Sequence, residues 1–378
     1  MSVISSSAYS DSKPHYEILD GLRGIAAVMV IFYHIFEAFA TSPIDQKFNH
    51  GHLAVDFFFI LSGFVVGYAY DDRWGRMSKK DFFKRRIIRL HPMIVLGTVL
   101  GVITFLIQGS VQWDGTSVPF SMIMLGMLLS LFLLPALPGS DAEVRGNGEM
   151  FPLNGPAWSL FFEYIGNIFY ALILRKLSTR ILTVLVALSG AGLAYFAVFN
   201  LSGFGHLGVG WSLLDNNLLG GLLRLLFAFS MGLLLSRNFK PVKIRGAFWI
   251  CSLAIVVLLS LPQVGGAENL WINGLYETLC VIVVFPILVY LGASGKTTDK
   301  TTSRTNKFLG DISYPLYMVH YPFMYLFYEW VWKNELTFSQ VWPVALLLLF
   351  GNILLAYLCL KLYDEPVRKY LTKRFLLK

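Results

Sequence analysis

Charge is what this sequence has least of. Asp, Glu, Lys and Arg make up 14% of its 378 residues, against about a quarter in a soluble domain. Mean hydropathy is +0.61. An ordinary soluble fold is excluded on these grounds. Cysteine is scarce as well. Cys251, Cys280 and Cys359 all lie in apolar runs, which excludes a disulfide framework and points to buried, inert thiols. No cluster of His, Cys and acidic residues has the spacing of a zinc site, so no metal is expected. Internal repeats and low-complexity tracts are also missing.

What fills the chain instead is apolar sequence in runs of roughly 17–25 residues, each long enough to span a bilayer. Eleven such runs lie between Ile18 and Leu360. The expected fold class is therefore an all-α polytopic integral membrane protein, with the lipid bilayer as its first partner. Residues 1–17, rich in Ser, are expected to form a disordered tail. Residues 18–370 form one transmembrane domain, and 371–378 a second short tail.

The basic residues orient it. Twenty-six of the 31 Lys and Arg fall in 71–91, 175–180, 237–245, 296–307, the stretch from Lys361 onward, and Lys13. Only Lys47, Arg145 and Lys333 lie in the alternate loops. The positive-inside rule places the rich segments, and both termini, in the cytoplasm. This distribution accounts for the net charge of +8 and leaves no role for nucleic acid. Parity then raises a conflict. Three apolar runs separate 71–91 from 175–180, where only an even number of crossings fits. Either 92–108 or 118–136 stops short, and 118–136 is preferred because Pro135 and Pro138 close it. The count becomes about ten transmembrane helices plus a re-entrant or interfacial segment, tolerated where protein covers it.

Charged side chains within the spans are costly and mark paired or functional sites. Arg23 and His34 share the first span. Their eleven-residue separation is about 1100° of rotation, roughly 20° from three whole turns, so they face one side about 16 Å apart. Asp56 and Glu163 lie about five and seven residues below the outer ends of their spans. A rise of about 1.5 Å per residue puts both level with His34, in the outer third of the bilayer. A histidine with carboxylates at its level is a general-base arrangement. A purely structural alternative has the three neutralise one another. On the cytoplasmic side, "SKKDFFKRRIIRLHP" (78–92) is basic and amphipathic. It reads as an interfacial helix touching anionic lipid, or as a phosphate grip. Arg86 and Arg89, at i and i+3, share a face and offer two guanidinium forks. Lipid phosphate and nucleotide phosphate fit equally well.

Six segments occur in order: "LDGLRGIAAVMVIFYH", "VDFFFILSGFVVGY", "RRIIRLHP", "PAWSLFFEYIGNIFY", "LGDISYPLYMVHYP" and "YDEPVRKYL". Together they resemble the membrane-bound acyltransferase-3 family over about 18–370. The resemblance implies an O-acyltransferase that takes an acyl group, with acetyl favoured, from cytoplasmic acyl-CoA to a sugar or glycan hydroxyl at the outer face. It implies a bacterial inner-membrane location, acyl-CoA as co-substrate with no permanently bound cofactor, and a connection to glycan-synthesis machinery. The family's motifs fall on Arg23 and His34, on Arg86 and Arg89, on Ser62, Gly63 and Phe64, on Trp158 and Glu163, and on Ser313, Tyr314 and His320. His34 is then the expected base, oriented by Glu163 or Asp56. Arg23, Arg86 and Arg89 would hold acyl-CoA. Trp158, Ser62, Tyr317 and His320 would line the substrate path, although Trp158 equally fits an interfacial aromatic belt and His320 a packed, hydrogen-bonded core position. An alternative function class is a transporter for a small molecule or glycan, with the polar residues along its path. It would gain from symmetric halves, and the sequence shows none.

The charge partition generates a first prediction. Reporter fusions at the C-terminal Lys378 are expected to read out on the cytoplasmic side. An active periplasmic reporter there would overturn the orientation.

Overall fold

The computed structural model describes residues 15–376. The expected N-terminal tail lies outside the described residues up to position 14, and Glu17 already opens the first helix. Among the described residues the chain is all-helical, with no strand and two isolated backbone bridges, Val111–Ser117 and Glu149–Ser212. Its helices are α1 (Glu17–Glu37), α2 (Ala54–Tyr70), α3 (Lys79–Ile107), α4 (Phe120–Leu131), α5 (Ala157–Leu172), α6 (Thr179–Val198), α7 (Asn217–Asn238), α8 (Ala247–Ser260), α9 (Leu270–Leu279), α10 (Phe285–Ser294), α11 (Lys300–Lys333), α12 (Phe338–Cys359) and α13 (Glu365–Phe375).

Eight helical stretches among the described residues are long and apolar enough to cross a membrane. They are α1, α2, α3, α5, α6, α7, the joined α9–α10 and the joined α12–α13. Two apolar helices are shorter. The 12 residues of α4 extend about 18 Å, against a hydrocarbon core of about 30 Å. α8 has 14 residues. The 34-residue α11 has the length to cross, at about 51 Å, but carries Lys300, Arg304 and Lys307 in its first turns. The basic stretch 300–307 is thus helical. Asp299 caps it, its side chain accepting from the Thr302 N–H at 2.7 Å. Residues 371–375, assigned from sequence to a tail, continue α13.

Both joined helices contain a single π-turn before a proline. Cys280–Val284 precedes Pro286, and Leu360–Asp364 precedes Pro366. Proline removes one helical N–H and crowds the preceding turn, and a wider turn accommodates it. The second π-turn leaves Asp364 buried.

Two helix pairs organise the bundle, α1 with α11 and α2 with α7. Each closes on glycine. A Cβ on Gly63 would run into the backbone carbonyl of Phe229, and one on Gly232 into that of Ile60. Likewise Gly24 lies on the Leu309 backbone and Gly310 on Asp20. Missing side chains let backbones approach closely, which is how helices gain van der Waals contact where lipid supplies no hydrophobic drive.

The segment between α4 and α5 is buried at its end. Residues 150–156 lie against the later part of α3 and the middle of α11. Gly101 abuts the Leu153 carbonyl, and Asn154 Nδ2 donates to the Met318 carbonyl at 2.9 Å. α5 therefore starts inside the bundle, not at its surface.

Backbone atoms cannot give way at Gly63. Gly63→Ala and Gly232→Ala are expected to cost about 1–3 kcal/mol each through overpacking, read as a lower Tm in detergent. Gly75→Ala, where an added Cβ meets open space, should leave Tm unchanged.

Candidate functional site

Two cavities enter the bundle from opposite ends. The first, of about 550 Å³, opens at the basic end, between the start of α1, α3, α11 and α13. Arg23, Arg86, Arg89, Lys307 and Arg368 line it. The second, of about 430 Å³, opens among the loops of the other end. Its walls are aromatic, with Trp113, Trp158, Trp211, Trp332 and Tyr321 alongside His34. Val55 and Tyr317 are the two residues that line both.

In the basic cavity most cations have partners. Arg23 donates through Nε to Ser313 Oγ at 2.7 Å and through Nη2 to the Gly310 carbonyl at 3.0 Å, and pairs with Asp20 at 3.1 Å. Arg86 pairs with Glu163 at 2.5 Å, and Ser62 Oγ donates to the same carboxylate oxygen at 2.9 Å. Arg368 pairs with Asp364 at 3.0 Å. Arg89 is different. It is exposed to the cavity and makes no hydrogen bond or ion pair with a described residue. An unpaired guanidinium between paired ones is a ready seat for a phosphate or other anion.

In the aromatic cavity His34 Nδ1 lies 2.8 Å from Glu37 Oε2. Tyr328 OH lies 2.7 Å from that same oxygen and 3.0 Å from the His34 carbonyl, with one proton to give to either. With Nδ1–H held by a carboxylate, Nε2 is the nitrogen left with a lone pair, as in a histidine general base oriented by an acid. The His320 ring stands 5.6 Å from that of His34. His320 is fully buried; its Nδ1 faces the Leu316 and Tyr317 carbonyls, and its Nε2 has no partner.

The sequence had placed His34, Asp56 and Glu163 at one level. The structure separates them. Glu163 lines the basic cavity and is held by Arg86, because α5 starts deep in the bundle and a count of residues from the surface misplaces it. Asp56 is fully buried under Arg224, which grips it through Nε at 3.0 Å and Nη2 at 2.7 Å. Neither carboxylate orients His34; Glu37 does. Its signal was in the sequence, an acid three residues after the histidine on the same helix face. Arg224 is itself fully buried. Its remaining donors go to the Val209 carbonyl at 2.7 Å and the His52 carbonyl at 2.9 Å, and its guanidinium sits 5.3 Å over the Trp158 ring. Trp158 thus lines the cavity wall and not a peripheral belt.

Two further polar clusters were not foreseen. Glu149 accepts from Asn147 at 2.9 Å and from the Tyr325 hydroxyl, beside an Arg145 stacked 3.3 Å over Tyr325. Burial pushes the Glu149 carboxyl above the ordinary range, partly offset by Arg145. Glu277 gathers His52 Nε2 at 3.0 Å and the Leu207 N–H at 2.5 Å. It thereby ties the loop before α7 to α9. Both clusters join residues far apart in the chain, with no local spacing to reveal them. Among the described residues no group of three or more His, Cys, Asp or Glu is arranged to hold a metal ion.

A family model described as an acyltransferase domain, acyltransferase-3, matches residues 16–361. The chain belongs to the acyltransferase-3 family. A Rhizobium radiobacter protein named as protein 2 in the picA locus is 33% identical over 174 residues, covering 43% of this chain and 84% of that protein. A Staphylococcus aureus protein provisionally named an O-acetyltransferase is 26% identical over 370 residues, covering 93% of this chain. The chain spans 57% of that relative's length. The Streptomyces mycarofaciens acyltransferase MdmB is 28% identical over 173 residues, 43% of this chain and 41% of its own. No solved structure matches.

The geometry assigns Asp56 to the scaffold. Asp56→Asn strands the buried Arg224 charge and is expected to cost about 3–5 kcal/mol, measured as lost folded protein and a lower Tm. A paired Asp56→Leu, Arg224→Met variant should recover most of that loss. Stable but inactive Asp56→Asn would instead restore the catalytic role.

Proposed function

We propose that this chain is an acyl-CoA-dependent O-acyltransferase of the bacterial inner membrane, with both termini cytoplasmic. It carries an acyl group, with acetyl favoured, to a hydroxyl of a sugar or glycan at the outer face. The observation that carries this reading is the pair of cavities, one arginine-lined and one built around His34 and Glu37, that approach from opposite ends and share Val55 and Tyr317. Family membership and the names borne by the relatives support it, and all three relatives named above are bacterial. In this reading about ten helices cross, and the short α4 stays on the outer side with the buried 150–156 segment.

The donor enters from the cytoplasm. Arg89 takes a phosphate of the nucleotide end, with Arg23 and Arg86 setting the surrounding positive field. Arg86 is already committed to Glu163, so its part is to shape the pocket, with Ser62 fixing the carboxylate from the other side. The acyl thioester extends toward Tyr317. The acceptor enters the aromatic cavity, where Trp158 and its neighbours offer flat apolar faces. His34 Nε2 accepts the hydroxyl proton, and Glu37 stabilises the imidazolium that forms. The acceptor oxygen attacks the thioester carbonyl and the CoA thiolate leaves into the basic cavity. Product separation follows from the geometry, with ester on one side and thiol on the other. Glycan-synthesis machinery is the natural supplier of the acceptor.

Two measurements test this. Mass spectrometry of glycans from cells with and without the protein should show a mass increment that names both acyl group and acceptor. In purified protein, His34→Gln and His34→Ala should lose at least the ~10²–10⁴-fold typical of a positioned general base while still binding acyl-CoA, and Glu37→Gln should be impaired comparably. Arg89→Ala should raise donor KM roughly 10- to 150-fold, the loss of one charge-assisted bond. An active His34→Gln enzyme would refute the base assignment, and unchanged glycans would refute the activity.

A further inference from the structure

Tyr317 occupies a position shared by no other polar side chain among the described residues. It lines both cavities, with Val55 as the only other common residue. Its ring meets Phe58 edge-on at 5.7 Å and lies 6.0 Å from the His320 ring. His320 in turn stands beside His34. The Tyr317 hydroxyl is buried and 2.8 Å from Ser159 Oγ. Ser159 has one proton, and its Oγ is 3.0 Å from the Pro156 carbonyl. With that proton on Pro156, the phenol donates to Ser159. A turn of the Ser159 hydroxyl reverses the bond. Ser159 then donates to the phenol oxygen, and the phenol O–H is left with only the long contact to the Pro156 carbonyl at 3.4 Å, which a negatively charged oxygen where the cavities meet would outcompete.

We propose that Tyr317 is the oxyanion donor of the transfer step, a catalytic residue whose hydroxyl bonds the thioester carbonyl oxygen as negative charge develops on it. This rests on the acyl-transfer reading above. The reacting carbon must be reachable by a donor from the basic cavity and by an acceptor from the aromatic one, which confines it to the neighbourhood of Val55 and Tyr317. Developing charge there needs a pre-aimed donor in a site shielded from water. The nearby guanidinium groups are committed elsewhere, Arg224 to Asp56 and two carbonyls, Arg86 to Glu163. Val55 offers no side-chain donor. The step balances without any further reactant. A bond forms between the acceptor oxygen and the carbonyl carbon, and the carbon–sulfur bond breaks. The hydroxyl proton passes to His34 Nε2 and then to the leaving thiolate. Tyr317 keeps its own proton throughout and acts only as a hydrogen-bond donor.

The same residue borders both cavities. Its ring, packed edge-on against Phe58, lines both of them. The two roles therefore come apart in two substitutions. Tyr317→Phe keeps the ring and removes the donor; Tyr317→Ala removes both.

The test uses the full chain in detergent, radiolabelled acetyl-CoA as donor and glycan extracted from cells lacking the protein as acceptor. Tyr317→Phe is expected to lower kcat roughly 10²–10³-fold, the usual cost of one oxyanion donor, with donor KM, acetyl-CoA affinity by calorimetry and Tm unchanged. Tyr317→Ala is expected to add acceptor-independent hydrolysis of acetyl-CoA that the Phe variant does not show, because water then reaches the thioester from the aromatic side. Wild-type kcat in Tyr317→Phe overturns the proposal. So does a loss matched by a fall in Tm or donor affinity, which makes Tyr317 a packing residue. If the wild type transfers acetyl and His34→Gln does not, either result refutes Tyr317 alone. A wild type that transfers nothing refutes the acyl-transfer reading, and this proposal with it.

Discussion

The Arg224–Asp56 pair is the constraint around which the half of the bundle that holds the aromatic cavity is arranged. Both side chains are fully buried. A lone charge at that depth is untenable, and a pair is tolerable only when every remaining donor is satisfied. Arg224 meets that condition by reaching four places at once, namely Asp56 on α2, the His52 carbonyl before α2, the Val209 carbonyl in the loop before α7, and the Trp158 ring on α5. One side chain thus fixes α2, α5, α7 and a loop relative to one another. The glycine contacts between Gly63, Gly232 and the facing backbones hold the same α2–α7 pair a few turns away. Held at both points, α2 presents Val55 and Phe58 to the junction and Ser62 to the basic cavity.

The basic cavity follows a related logic with a different outcome. Glu163 and Asp20 each neutralise an arginine, and Asp364 neutralises Arg368. Three acids are thus spent on arginines, and Arg89 is left over. A cavity whose cations were all paired would bind an anion weakly, since the anion would first have to displace a carboxylate. One with none paired would cost too much to bury. A single open guanidinium inside a satisfied shell meets both limits, and it lies one turn from Arg86 on α3.

The membrane class, the helical architecture and the identity of most polar positions could be read in the sequence because they depend on local quantities. Run length, basic asymmetry and an eleven-residue spacing on one helix need no tertiary knowledge. Arg23 and His34 accordingly line the two cavities along α1. Depth could not be read in the same way. Counting down from an assumed surface works for α1, which begins near the basic end. It fails for α5, whose start is carried into the bundle by Leu153 and Asn154 packed on Gly101 and Met318. That one displacement moves Glu163 from the aromatic to the basic cavity. Glu37 was overlooked for a different reason, since a carboxylate at a helix end looks like an ordinary surface residue until Tyr328, from a helix almost 300 positions later, is found on the same oxygen.

The division into a basic and an aromatic cavity also has an electrical consequence. In the reading proposed above, the polyanionic part of the donor never leaves the basic end. The acyl group moves outward as an acylium equivalent, its bonding pair left on sulfur, while the acceptor's proton moves the opposite way to the thiolate, and the two charges cancel. No net charge is carried through the field by a complete turnover. A potential of 100 mV is worth about 2.3 kcal/mol for each elementary charge moved across it, and here it has no net charge to act on. An enzyme built this way works against no voltage and draws on none, so its output is set by the two substrate pools and stays the same in an energised membrane and a depolarised one.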